Sequence, residues 1–136
     1  MSERARSSPG ATILIIGDDD VTATDLQNGL IGAGYGVRRA ASAEEAMVTL
    51  EARRTDLILM NLMLPDTDGL ILCSTLTARF PAPIIVLSSR ARDVDRALAL
   101  ESGARDLLIT PVDLDDLLAQ VKEVVQSPVC ASSRRG

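Results

Sequence analysis

Four short apolar runs, Ile13–Ile16, Leu57–Met60, Ile84–Leu87 and Leu107–Ile109, punctuate the chain, and a weaker one lies at Val37–Ala40. Near-continuous apolar character without polar alternation is the pattern of strands covered on both faces. Between these runs apolar residues return at three- and four-residue spacing, the period of a helix with one buried stripe. Leu26, Leu30 and Ile31 predict the stripe of a first helix, Ala43, Ala46, Met47 and Leu50 a second, and Leu70, Cys73, Leu76 and Phe80 a third. Val94, Ala97 and Leu98 predict a fourth, with Leu100 off the stripe and facing water. Leu114, Leu117, Leu118, Val121, Val124 and Val125 form the most regular stripe of all. Two start signals agree with these elements: Ser42 with Glu45 three residues on is a capping box, and Asp113 precedes the final helix.

Strand and helix therefore alternate five times, which predicts an α/β domain built on a five-stranded parallel sheet with helices on both faces. In such a domain the functional site gathers at the carboxyl ends of the strands. Here those ends are Gly17-Asp18-Asp19-Asp20, Asn61, Ser88-Ser89 and Thr110-Pro111. The domain is expected over residues 12–126, between a polar, disordered tail at 1–11 and a flexible tail or linker start at 127–136. No repeat and no second domain are read.

Composition narrows the chemistry. Histidine is absent, which excludes imidazole acid–base catalysis, triads containing it, imidazole zinc sites and phosphohistidine carriers. Cys73 and Cys130 are too few for a four-cysteine zinc site and are expected as free thiols. The only aromatics are Tyr35 and Phe80, so base-stacking platforms are not expected. A formal net charge of -5 and a single lysine, Lys122, also oppose direct nucleic-acid binding. No apolar stretch is long enough to cross a bilayer, and residues 1–10 lack the apolar core of a secretion signal, so a cytoplasmic location is expected.

Five linked segments resemble the receiver domain of bacterial two-component response regulators. They are Ile13-Leu14-Ile15-Ile16 followed by acids, Gly34-Tyr35-Gly36-Val37, Leu62-Met63-Leu64-Pro65-Asp66-Thr67-Asp68-Gly69, Pro83-Ile84-Ile85-Val86-Leu87-Ser88, and Gly103-Ala104-Arg105-Asp106 leading to Thr110-Pro111. The resemblance covers about residues 12–126 and implies the flavodoxin-like (βα)5 fold. It also implies a site in which two acids after the first strand hold magnesium and the third strand ends in the aspartate that accepts a phosphoryl group. A Ser or Thr then ends the fourth strand, and a Lys before Pro ends the fifth.

The chain departs from that pattern at several of these positions. Gly17 takes the first acidic position and Asp18 the second; Asn61 takes the phospho-acceptor position; Ser88 keeps the hydroxyl; Thr110, before Pro111, takes the lysine position; and Leu107 takes the aromatic switch position. An amide oxygen is a poor nucleophile and a neutral metal ligand. Asp18, with Asp19 beside it, remains the one candidate for residual, weak magnesium binding. Without metal or lysine, nothing neutralises charge on the equatorial phosphoryl oxygens. Asn61, Ser88 and Thr110 are expected to satisfy one another by neutral hydrogen bonds. Asp19 and Asp20 read as helix caps, Asp18 either as a cap or as a residual pocket acid, and Asp66 and Asp68 as turn formers with Gly69 permitting the backbone.

The resulting expectation is a pseudo-receiver: a signalling module without enzymatic activity or cofactor that binds a protein partner or a second copy of itself. The family's habit of docking through the fourth helix, fifth strand and fifth helix implies residues about 92–126, with Arg96, Leu100 and Glu101 on the partner face. Two alternatives stay open. One is a phospho-acceptor that uses Ser88, Asp18 or Asp66; the other is a sensor with a small molecule in the vacated pocket.

Overall fold

The computed structural model describes residues 11–89 and 93–125. Apart from Ala11, the two expected tails, and Cys130 with them, lie outside the described residues. Strands β1 (Thr12–Ile16), β2 (Gly36–Ala40), β3 (Leu57–Asn61), β4 (Ile84–Ser88) and β5 (Asp106–Ile109) alternate with helices α1 (Asp20–Gly32), α2 (Ala43–Ala52), α3 (Gly69–Arg79), α4 (Asp93–Glu101) and α5 (Leu114–Val125). Every strand pairing is parallel, in the order β2-β1-β3-β4-β5. The order reverses between β1 and β3, so the loops that follow these two strands leave toward opposite faces and open a crevice between them.

Because side chains alternate across a strand, each strand feeds two cores. Leu14, Ile16, Ile58, Met60, Ile84 and Val86 pack with Ala46, Leu50, Leu72, Cys73, Leu76 and Ala99 beneath α2, α3 and α4. Ile13, Ile15, Leu57, Leu59, Ile85 and Leu87 pack with Leu26 and Leu30 of α1 and Leu117, Val121 and Val124 of α5. Burial of Ile13–Ile16 and Leu57–Met60 on both faces is why these runs show no polar alternation. Burial also pushes the Cys73 thiol up from its ordinary pKa.

The helix stripes differ from expectation in four places, one of them Leu114 at the start of α5, which is 39% exposed. In α1 the buried set is Ala23, Leu26 and Leu30, while Ile31 is 50% exposed. In α3 it is Leu72, not Leu70, that joins Cys73 and Leu76 in the core, and Phe80 sits just past the helix end as its C-cap. The largest difference is α4. Val94, Ala97 and Leu98 face water and Ala99 alone is fully buried, leaving Leu100 exposed as well. Apolar residues at 94, 97, 98, 99 and 100 occupy most of the circumference of a nine-residue helix, so periodicity alone does not choose its inner face.

The helix starts follow their signals. The Ser42 hydroxyl accepts from the Glu45 N–H at 3.2 Å, and the Glu45 carboxylate accepts from the Ala41 N–H at 2.9 Å, one residue earlier than in the standard box. Asp113 accepts from the Asp116 N–H at 3.2 Å. Gly69, expected to relieve an unusual backbone conformation, is needed for a different reason: its N–H donates to the Leu62 carbonyl at 2.7 Å, and a Cβ there would overlap that carbonyl and lie 2.8 Å from the Asn61 carbonyl oxygen. Gly69→Ala should therefore cost about 1–3 kcal/mol of stability by overpacking against backbone. Gly32→Ala, at a helical glycine with open space around it, should be neutral or stabilise by up to about 1 kcal/mol. Urea unfolding of the two variants checks this contrast.

Candidate functional site at the carboxyl ends of the strands

The crevice is an open cleft of about 900 Å³ lined by Asp19, Thr22, Asn61, Leu62, Met63, Asp68, Leu70, Leu87, Ser88, Ser89, Asp95 and Thr110. Asn61, Ser88 and Thr110 come together as expected because they end or follow the adjacent strands β3, β4 and β5. Two backbone bonds hold these ends in step: Leu62 N–H donates to the Leu87 carbonyl at 2.8 Å, and Thr110 N–H to the Ser88 carbonyl at 2.9 Å. A cis peptide joins Thr110 to Pro111, which is exposed outside the cleft.

Asn61 does not turn toward the two hydroxyls. Its side chain leans over Gly17, where an added Cβ would overlap the Asn61 amide nitrogen and lie 2.8 Å from its Cγ. Gly17 itself is buried, and its N–H donates to the Ala40 carbonyl at 2.8 Å. The hydrogen-bonded trio of Asn61, Ser88 and Thr110 is thus replaced by packing of Asn61 on the β1 end.

Asp19 and Asp68 of the cleft lining, and Asp66 nearby, are occupied with helix ends. Asp19 is the N-cap of α1: one oxygen accepts from the N–H groups of Val21 and Thr22 at 3.1 and 3.3 Å, and the other from the Thr22 hydroxyl at 2.8 Å. The Thr22 hydroxyl first, and then these backbone donors, hold the Asp19 carboxyl below its ordinary pKa. Asp18 is exposed and does not line the cleft. Asp68 caps α3 through the Leu70 N–H at 2.7 Å. Asp66, expected to shape its own turn, instead reaches across to α2 and accepts from the N–H groups of Ala43 and Glu44 at 2.9 and 3.2 Å. Ser42 and Asp66 therefore cap α2 together, and the Ala43 bond chiefly holds Asp66 below its ordinary pKa. Among the described residues no three acids, cysteines or histidines are grouped so that they could hold a metal ion.

Leu107 is buried beneath α4 in the core shared with α2 and α3. Arg96, expected on the partner face, is exposed and also paired: its guanidinium donates to Asp106 at 2.6 Å, and Gln120 donates to the other oxygen of Asp106 at 2.8 Å. This carboxylate ties α4, β5 and α5 together. Glu101 and Leu100 are exposed at the end of α4. Thr22, Asp95, Asp106 and Gln120 were not singled out from the sequence. A helix start such as Asp19 to Thr22 carries a local signal that would have found Thr22, whereas Asp106 and Gln120 meet only through the fold.

A family description, the response regulator receiver domain, matches residues 13–122. The transcriptional regulatory protein AfsQ1 of Streptomyces coelicolor is 37% identical over 115 residues, 85% of this chain and 51% of that protein. The chain spans about half the length of the curated relatives it matches. Among solved structures, a two-component response regulator from Clostridium difficile superposes with a TM-score of 0.84 at 32% identity, covering 86% of this chain and 97% of that one. A response regulator protein from Burkholderia pseudomallei, solved with a phosphorylated aspartic acid, calcium ion and citrate, gives 0.76 at 30% identity over 89% of this chain and 69% of that one. Among the described residues no helix is long and apolar enough to cross a membrane.

The Asp66 bridge makes an acid-stability prediction. A carboxyl whose folded pKa lies below its unfolded value near 3.8 contributes stability that is complete above the unfolded value and is lost as pH falls through the folded one. The melting temperature should therefore drop below about pH 4, and Asp66→Asn should flatten that part of the acid limb. Melting curves of both proteins between neutral pH and the acid transition read the effect directly.

Proposed function

The chain belongs to the response regulator receiver domain family, and we propose that within it this domain is a pseudo-receiver, a phosphorylation-independent signalling module. It acts by binding a protein partner or a second copy of itself, in the cytoplasm, without catalysing a reaction. The observation that carries this reading is Asn61: the end of β3 presents a neutral amide to the cleft, and that amide lies in the room a side chain on residue 17 would take.

The residues present do not fit the magnesium that the family implies. Residue 17 brings no acid, and the room its side chain would take is filled by Asn61. Both oxygens of Asp19 are engaged by the first turn of α1, and Asp18 lies outside the cleft. A hard cation needs several oxygen ligands, carboxylates among them, in near-octahedral array. Thr110 adds no positive charge to compensate. Asp66 is equally unsuited as a substitute phospho-acceptor, since both its oxygens accept backbone N–H groups of α2.

The surface that fits a partner is the one formed by α4, β5 and α5. Val94, Leu98 and Leu100 of α4 and Ile109 of β5 are exposed apolar residues. Apolar residues grouped in this way mark interaction sites more often than scattered ones do. The Arg96–Asp106–Gln120 contacts hold the three elements in one arrangement. Leu107, a residue with no aromatic ring to swing between positions, packs beneath them. The face is accordingly competent to bind at all times, and partner abundance controls the output.

Incubation with acetyl phosphate and magnesium should leave the intact mass unchanged, and magnesium at low millimolar concentration should barely raise the melting temperature. Asn61→Asp alone should alter neither result. A phosphoryl group mapped to Ser88, Asp18 or Asp66 would overturn the reading.

Substitutions on the face should change binding where substitutions in the cleft do not. Leu98→Asp and Glu101→Lys should reduce self-association or partner capture, measured by sedimentation and pull-down, while Asn61→Ala should preserve both and cost only about 1 kcal/mol of stability. Arg96→Glu is the less clean probe, because it also sets two carboxylates against each other at Asp106. Loss of binding in the cleft variant with none in the face variants would point instead to a sensor that responds to a small molecule in the cleft.

A further inference from the structure

We infer that Gly17 and Asn61 form a steric lock, in which the Asn61 amide occupies the room left by the missing residue-17 side chain and each position holds the other in its present form. The inference deepens the reading of the strand ends as a site without phosphoryl chemistry, and rests on it for its functional meaning. Its structural basis is separate. A Cβ on Gly17 would overlap the Asn61 Nδ2, lie 2.8 Å from Cγ and 3.4 Å from Cβ, so the conflict comes from the amide head and not from the strand backbone.

The chemistry of the pair points the same way. The Gly17 N–H is already given to the Ala40 carbonyl, so residue 17 offers Asn61 a surface to pack on and no donor. A neutral amide tolerates that setting, whereas a carboxylate would lack a compensating cation, since neither Gly17 nor Thr110 supplies or recruits one. Conversely, any side chain at 17 must displace the Asn61 amide from its present place. The room for an acidic side chain at residue 17 is thus taken while the cleft itself stays open, and a change at either position alone does not restore the pair of acids.

A double-mutant cycle with Gly17→Ala and Asn61→Ala tests the lock, read as melting temperature and urea midpoint of the whole chain. Gly17→Ala should lower the melting temperature measurably when Asn61 is present and by little or nothing in the Asn61→Ala background, where Cγ and Nδ2 are gone. Should the single Gly17→Ala variant fail to fold, recovery of folded protein in the double variant is the same result. An equal loss in both backgrounds, no loss in either, or failure to fold in both would overturn the lock. Because the cycle reads packing only, it fails independently of the acetyl phosphate experiment, which reads the chemistry.

Discussion

Strands β1 and β3 have no wet face, and the positions of the other elements follow from that requirement. A strand buried on both sides needs neighbours to take its backbone hydrogen bonds and helices to cover each surface. β2 and β4 supply the first, and α1 with α5 on one face and α2 to α4 on the other supply the second. Because the chain must reach both faces from adjacent strands, the connections after β1 and β3 diverge, and the cleft between them is a geometric result of covering the sheet. The candidate site is thus located by the core before any polar residue is considered.

Polar residues then decide what that cleft can do, and most of those near it serve the helices. Asp19, Asp66 and Asp68 each place oxygens on backbone N–H groups in the first turns of α1, α2 and α3. These bonds satisfy donors that a helix leaves unpaired and place negative charge at the favourable end of its dipole. An acid committed to this task is poorly placed to ligate a cation at the same time. Seen together with the amide at Asn61, the acidity of the strand ends is structural in character, and the same three carboxylates fasten the loops that surround the cleft.

On the other side of the sheet edge the balance reverses, with apolar residues outside and a carboxylate inside. Asp106 is largely shielded and accepts from Arg96 and Gln120, drawing α4 and α5 against β5. The Arg96 side of this pair is exposed, so its contribution is to relative placement more than to stability. α4 needs such fixing because Ala99 gives it little apolar burial of its own. The consequence is a helix whose larger apolar side chains are left for a partner.

Much of this was legible along the chain. Strand burial, the five-fold alternation, the caps at Ser42 and Asp113 and the convergence of Asn61, Ser88 and Thr110 all depend on residues close in sequence or on a topology with few alternatives. The features that were not legible share one cause: they depend on which residues meet after the layers have packed. Asp66 caps a helix that begins 23 residues earlier, Asp106 gathers side chains from two helices, and the inner face of α4 is chosen by the sheet edge beneath it. The pairing of Gly17 with Asn61 is the sharpest case. The sequence by itself determined that both acids were absent; only the tertiary structure, by setting the ends of β1 and β3 side by side, decided that one absence would be filled by the side chain of the other.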